Sequence, residues 1–190
     1  ISKKLIALFI VISGILAIIL WNFVLLTYQK TRVLVFLHLE HSSLGAGYNI
    51  IQSKITLGSG GFIGNLFSGS QLRLGFLPEA HTDFIFSSYG NALGFLGVAI
   101  LLSLYLFLIF KIFYTGFQFE DNFIKLSVLS IGFSVFIYSF INILMDIGAI
   151  PVVGVPLPLV SFGGSNIIMI MGYFGFVLAA KKEFLKSKVI

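Results

Sequence analysis

The chain has 190 residues, of which 58% are hydrophobic and only 10% charged, with 22 phenylalanines and a mean hydropathy of +1.07. That balance excludes an ordinary soluble domain and identifies an integral membrane protein. The net charge of +5 does not indicate nucleic acid as a partner, because Lys3, Lys4, Lys181, Lys182, Lys186 and Lys188 sit just outside apolar runs, where cytoplasmic membrane flanks carry positive charge.

The expected fold is an all-α polytopic membrane bundle, a single membrane domain over 1–190. A transmembrane helix needs roughly 20 apolar residues. The first segment to meet this is Leu5–Thr27. It begins at the first lysines, with neither an initiator Met nor a signal-peptide pattern before it, so the chain reads as a piece of something longer. A long segment, 28–83, follows, rich in Gly and Ser, with Gly45-Ala46-Gly47 and Gly58-Ser59-Gly60-Gly61. Long loops of this kind more often carry function than connect passively. Within it, residues 50–57 suit a short interfacial helix or a strand, and the glycines after them permit turns. The bland alternative is a wet surface loop.

The second and third spans are Phe84–Phe110 and Leu126–Met145, and the last, 161–180, ends at Ala180. Counting back from Lys181 draws Ser161-Phe162-Gly163-Gly164-Ser165 to the edge of the hydrocarbon, where polar backbone should face protein or a water-filled cavity. Pro151, Pro156 and Pro158 predict an irregular or re-entrant segment before it, because proline removes a donor and blocks a helix. The lysine distribution places the amino-terminal flank, the 111–125 connection and the carboxy-terminal tail in the cytoplasm, with 28–83 and 147–160 outside. With no cysteine, the chain has no disulfide, thiolate nucleophile or Cys-ligated metal.

Charge at a membrane boundary is costly, which singles out Leu77-Pro78-Glu79-Ala80-His81-Thr82-Asp83. Pro78 suits a first helical position, so Glu79 and Asp83 are expected one turn apart on one helix face, near an amino terminus that favours anions. These residues alone leave open interfacial capping, catalysis, ion binding and proton transfer. His81 by itself reads as a hydrogen-bonded interfacial residue.

Three ordered stretches carry a family resemblance: GYNIIQSKITLGSGGFIG (47–64), GSQLRLGFLPEAHTDFIF (69–86) and IPVVGVPLPLVSFGGSN (150–166). Together they resemble the SEDS family of shape, elongation, division and sporulation proteins. The runs 28–32 and 71–77 are similar to its elongation, RodA-like, branch more than to its division, FtsW-like, branch. The resemblance implies that these residues are the carboxy-terminal half, the last four of about ten transmembrane helices with the largest extracellular loop between the first two. It further implies a peptidoglycan glycosyltransferase that polymerises lipid II on the outer face of the bacterial cytoplasmic membrane. Its implied partners are a class B penicillin-binding protein transpeptidase and other elongation-complex membrane proteins.

The family's essential aspartate lies in its HTDF motif, which corresponds to Asp83. A carboxylate there could act as general base towards an acceptor sugar hydroxyl, or hold a divalent cation near the leaving pyrophosphate. Magnesium or manganese bound by Asp83 and Glu79 would need only those carboxylates plus phosphate oxygens and waters. His81 and Thr82 share the motif and stand as substrate contacts. Gln52, Ser53 and Lys54 are candidates for pyrophosphate or sugar, as are Gln71 and Arg73. Ser161, Gly163, Gly164 and Ser165 either cradle an anion through backbone amides or let helices approach closely.

The chain departs from the family pattern in places. Asn91-Ala92 replaces an acidic pair, Ser42-Ser43 an Asp-Pro, and Asn166 ends a Gly-Gly-Ser-Ser run. Asp146 stands at a usually neutral position, either as a compensating acid or as an interfacial cap. Two other functional classes remain: a transporter of lipid II or an ion, and a non-catalytic scaffold for a penicillin-binding protein. Transport would favour ionisable groups near mid-membrane, whereas the acids here lie at the outer boundary.

Overall fold

The computed structural model describes residues 3–37, 46–65 and 79–187, and within them all regular structure is helical. The chain divides into two compact units, Ile1–Gly47 and Tyr48–Ile190. In the first, α1 (Lys3–Ile19) runs directly into a π-helical stretch, Leu20–Val24, and the chain breaks before α2 (Thr27–Leu37). The first expected span thus ends as helix at Val24 rather than Thr27, where Leu25 turns extended (ψ 126°).

The second unit holds α3 (Ala46–Ser59) from Tyr48 onward, α4 (Ile85–Phe117), α5 (Asn122–Asp146) and α6 (Gly164–Ser187). Among the described residues two helices, α4 and α5, are long and apolar enough to cross a membrane by length and composition. They are joined by a tight turn in which the Asp121 carboxylate accepts the Phe123 and Ile124 amides at 2.7 and 3.2 Å, capping α5. Small residues let the pair approach: a Cβ on Gly132 would press Ile112 at 3.1 Å, and one on Gly116 would press Leu129 at 2.9 Å. Phe86, Leu101, Tyr105, Ile109, Val135 and Leu157 form one buried cluster, and Ile112, Phe119, Val128, Ile131 and Val177 another that takes in α6. The outward faces keep large exposed apolar side chains such as Phe107, Phe110 and Phe133, the surface a bilayer would cover.

The long segment between the first two spans is not a wet loop where it is described. Residues 50–57 lie in α3, with Ile50, Ser53 and Thr56 fully buried. The reason lies in α4, which breaks at Gly94 (φ 67°, ψ −165°). The turn after α3 enters that break. Phe95 N donates to Gly61 O at 2.9 Å, Leu96 N to Phe62 O at 3.2 Å, and Asn65 N to Asn91 O at 2.9 Å. Asn91 is fully buried and donates to Thr56 O at 3.1 Å and Ser59 Oγ at 2.6 Å, bonds a carboxylate could not donate.

The third span runs one turn longer at its amino end than expected, and α6 starts at Gly164 and continues through the lysines to Ser187. Between α5 and α6 the proline-rich stretch has no regular structure over 151–157, followed by a turn, as the prolines require. Leu157 and Pro158 are buried there, and Tyr105 of α4 donates its hydroxyl to Pro158 O.

Candidate functional site

Residues 79–84 fold as a tight turn and α4 begins only at Ile85, so the expected helix from Pro78 does not form over the described residues. Glu79 takes φ 55°, and its carbonyl receives Thr82 N and Phe84 N at 3.1 and 3.2 Å. This left-handed residue closes the chain on itself and takes Glu79 and Asp83 off a common helix face. The Glu79 carboxylate instead accepts the Thr82 hydroxyl at 2.7 Å. Glu79 and His81 are exposed, while Thr82 and Asp83 are half-buried.

The turn is held from behind by its carbonyls. Ala80 O accepts Ser88 Oγ at 2.8 Å, His81 O accepts Phe162 N at 3.0 Å, Thr82 O accepts Ser161 Oγ at 2.7 Å, and Asp83 O accepts Asn142 Nδ2 at 2.8 Å. The donors come from α4, the proline-rich segment and α5. Asn142 also donates to Val155 O at 2.8 Å, and Ser161 Oγ accepts Leu157 N at 2.7 Å, so the clamps are themselves tied to one another. Asp83 Oδ2 sits against Gly154 (φ 73°), where an added Cβ would come within 3.4 Å. Four successive carbonyls of the turn are thus fixed by donors from elsewhere in the fold.

Behind the turn lies a polar knot that joins three helices. Asp146, the last residue of α5, is fully buried, and its Oδ2 accepts Ser87 N at 2.8 Å. It is therefore no interfacial cap of its own helix. It caps the first turn of α4, whose preceding residue, Phe84, supplies no side-chain acceptor. Ser53 Oγ donates to Asp146 O at 2.8 Å and lies 2.6 Å from Ser87 Oγ. Ser53 is thus a buried linker rather than a group open to substrate. Its neighbour Lys54 is exposed and runs across Gly148 (φ 67°), where an added Cβ would meet Lys54 Cε and stand 2.7 Å from Nζ. That puts an ammonium at the carboxy end of α5, where the helix dipole favours a cation.

Of the remaining predicted contacts, Gln52 is half-buried on α3 and Ser161 is buried, its hydroxyl used within the fold. Gly163 and Gly164 have room for a Cβ among the described residues, and Ser165 is exposed at the start of α6. Gln71, Arg73 and Pro78 lie outside the described residues. An open, largely apolar cavity of about 510 Å³ adjoins the turn, lined by His81, Ile85, Leu159, Val160, Ser161, Phe162 and Ile167. Among the described residues no group of three or more His, Asp or Glu side chains converges to hold a metal. The residues missed from sequence are Asn142 and Ser87. A lone Asn one turn before Asp146 in an otherwise apolar span was the available signal for the first.

The family model for FtsW, RodA and SpoVE, described as a cell cycle protein, matches residues 1–185. The peptidoglycan glycosyltransferase MrdB of Escherichia coli K12 is 45% identical over 179 residues, covering 94% of this chain and 48% of that protein. MrdB of Helicobacter pylori 26695 is 42% identical over 78% of this chain and 38% of its own length. A probable peptidoglycan glycosyltransferase FtsW from Haemophilus influenzae is 36% identical over 92% of this chain and 44% of its own. A chain in a solved peptidoglycan synthase complex that coordinates polymerization and crosslinking superposes with a TM-score of 0.73 at 26% identity, covering 95% of this chain and 49% of that one. The chain spans about half the length of the curated relatives it matches.

Proposed function

Because the chain belongs to the FtsW, RodA and SpoVE family of cell cycle proteins, we propose that it forms the catalytic carboxy-terminal part of a peptidoglycan glycosyltransferase that polymerises lipid II. The observation that carries this reading is Asp83, half-buried on a turn whose carbonyls are pinned by α4, α5 and the proline-rich segment. The greater identity to MrdB proteins than to an FtsW protein supports an elongation role. The protein resides in the membrane, and helices 3–24, 85–117, 122–146 and 164–187 are read as four passes, with lysine-bearing connections in the cytoplasm and Asp83 at the outer face.

In this reading Asp83 takes the proton of the acceptor sugar hydroxyl as that oxygen bonds to the anomeric carbon of the donor. The bond from that carbon to the lipid-linked pyrophosphate breaks, and the phosphate leaves with the electron pair. Lys54 meets the negative charge of the pyrophosphate as a point charge. The apolar cavity beside His81 suits the first isoprene units of a polyprenyl chain. A divalent cation such as magnesium or manganese would screen the leaving phosphates, and Asp83, with Glu79 nearby on the same turn, suits one that draws its other ligands from phosphate and water. A class B penicillin-binding protein is the proposed partner, as are other membrane proteins of the elongation complex. The solved neighbour belongs to a peptidoglycan synthase complex, in keeping with this.

The test is lipid II polymerisation by the full-length protein reconstituted with its penicillin-binding partner, with and without divalent cation, comparing wild type with Asp83→Asn. Loss of glycan product with folding and partner binding retained is the expected result. Unchanged product would remove Asp83 from the chemistry and favour a scaffold or a transporter.

A further inference from the structure

Asp146 is the one acid of the second unit whose side chain is fully buried, and nothing in the chemistry above uses it. Burying a carboxylate is costly unless it is well hydrogen-bonded. Here it keeps one strong bond, from Ser87 N, while Asp146 Oδ1 and Asn142 Oδ1 have no hydrogen-bond partner among the described residues. A residue kept at such a cost needs a local reason.

That reason is in what Asp146 joins. Its side chain holds the third helical residue of α4, four positions after Asp83. Its main-chain oxygen holds Ser53, the residue before Lys54. Ser53 and Ser87 then meet each other at 2.6 Å, which closes a ring through α3, α4 and α5. Two residues beyond Asp146, Gly148 leaves the space across which Lys54 lies. One turn before it, Asn142 holds the carbonyl of Asp83 itself. The carboxy-terminal turn of α5 is therefore the common anchor of the group that would receive the acceptor proton and the group that would meet the leaving phosphate.

We propose that Asp146 is a positioning residue for glycan polymerisation, fixing the start of α4, and with it Asp83, against α3, and with it Lys54. The inference rests on the reading that Asp83 and Lys54 serve that reaction. Glycosyl transfer needs its base and its phosphate contact on opposite sides of one anomeric carbon, and displacement of such groups by about 1 Å costs on the order of 100-fold in rate.

The experiment compares Asp146→Leu, Asp146→Asn and Ser53→Ala with wild type in the full-length reconstituted protein, well below each variant's unfolding temperature. Asp146→Leu removes the acceptor for Ser87 N, whereas Asp146→Asn keeps it. Leu is expected to lower kcat by roughly 10- to 100-fold with KM for lipid II changed by less than about 3-fold, and Asn to restore most of the loss. Ser53→Ala, which cuts only the link to α3, is expected to lower kcat in the same sense and carries the test if the Leu variant does not fold. Adding the remote Gly172→Ala should raise stability without restoring kcat, which separates positioning from mere folding. Wild-type kcat in folded Asp146→Leu or Ser53→Ala overturns the proposal. Equal losses in Leu and Asn also overturn it, since the charge itself would then be what matters. An inactive wild type would instead refute the polymerase reading on which the proposal depends.

Discussion

Replacing Gly94 with alanine tests the joint between α3 and α4. Gly94 adopts φ 67° and ψ −165° inside what is otherwise one continuous helix, a conformation essentially reserved for glycine that costs other residues about 1–3 kcal/mol. A Cβ there would collide with Gly64 N and lie 2.7 and 2.8 Å from Ile63 C and N, all backbone atoms that cannot rotate away. Relief requires the turn at 61–65 to withdraw, which breaks the bonds Phe95 N to Gly61 O, Leu96 N to Phe62 O and Asn65 N to Asn91 O. At a net of about 0.5–1.5 kcal/mol each, those bonds and the strain together give a loss of roughly 3–7 kcal/mol. That is comparable with the whole stability of many domains, about 5–15 kcal/mol. Gly172→Ala is the control, since a Cβ on that helical residue meets nothing within 4 Å among the described residues, and it should stabilise by about 0.5–1 kcal/mol. Thermal unfolding of the solubilised protein reads both, and hydrogen exchange at the Phe95 and Leu96 amides reports the undocking directly. Equal unfolding temperatures for the two variants would refute the reasoning.

Other substitutions address the turn that carries Asp83. Asn142→Asp exchanges an amide that donates to Asp83 O and Val155 O for a group that, when ionised, cannot donate, and should cost about 2–4 kcal/mol in thermal unfolding together with most of the polymerisation. Asn142→Leu tests the same bonds without the charge and should also lose activity. Ser161→Ala removes the bridge between Thr82 O and Leu157 N. Its expected loss is about 1–3 kcal/mol, with proteolysis near 157–162 as the sensitive readout. Tyr105→Phe deletes only the hydroxyl that reaches Pro158 O and should destabilise by about 1–2 kcal/mol while leaving KM for lipid II unchanged. A larger kinetic effect would mean that the proline-rich segment is coupled to the site more tightly than these bonds indicate.

Hydropathy made the helices legible because a bilayer imposes one period and one length. It did not reveal the break at Gly94. In sequence, Ala92-Leu93-Gly94-Phe95-Leu96 reads as apolar helix with one tolerated glycine. The break exists because amides released at Phe95 and Leu96 find acceptors on a turn thirty-odd positions earlier, and no local pattern encodes a partner so distant. The same holds for α3. A wet surface loop was one reading of residues 50–57, yet Ser53 is buried because α4 and α5 offer its hydroxyl Ser87 Oγ and Asp146 O, and Thr56 is buried where Asn91 of α4 donates to its main-chain carbonyl. Alternation of polar and apolar residues distinguishes water from protein only when the protein interior is apolar.

The motif around Asp83 was legible in sequence, and its local geometry was misread. Pro78-Glu79 suggested a helix start, since proline favours that position, but the helix start is decided by what satisfies its first amides. The acceptor for the third helical amide, Ser87 N, is Asp146, 59 residues away, and this explains why α4 starts at Ile85 without a capping side chain of its own. In sequence Asp146 stood out as an acid at a usually neutral position, read as a compensating acid or an interfacial cap. In the fold that isolation disappears. The acid reaches one helix with its side chain, another with its carbonyl, and shares a helical face with the Asn that holds Asp83. An unexpected charge inside an apolar span is therefore best read by asking which distant helix end lacks a cap, because a buried carboxylate can persist only where such donors await it.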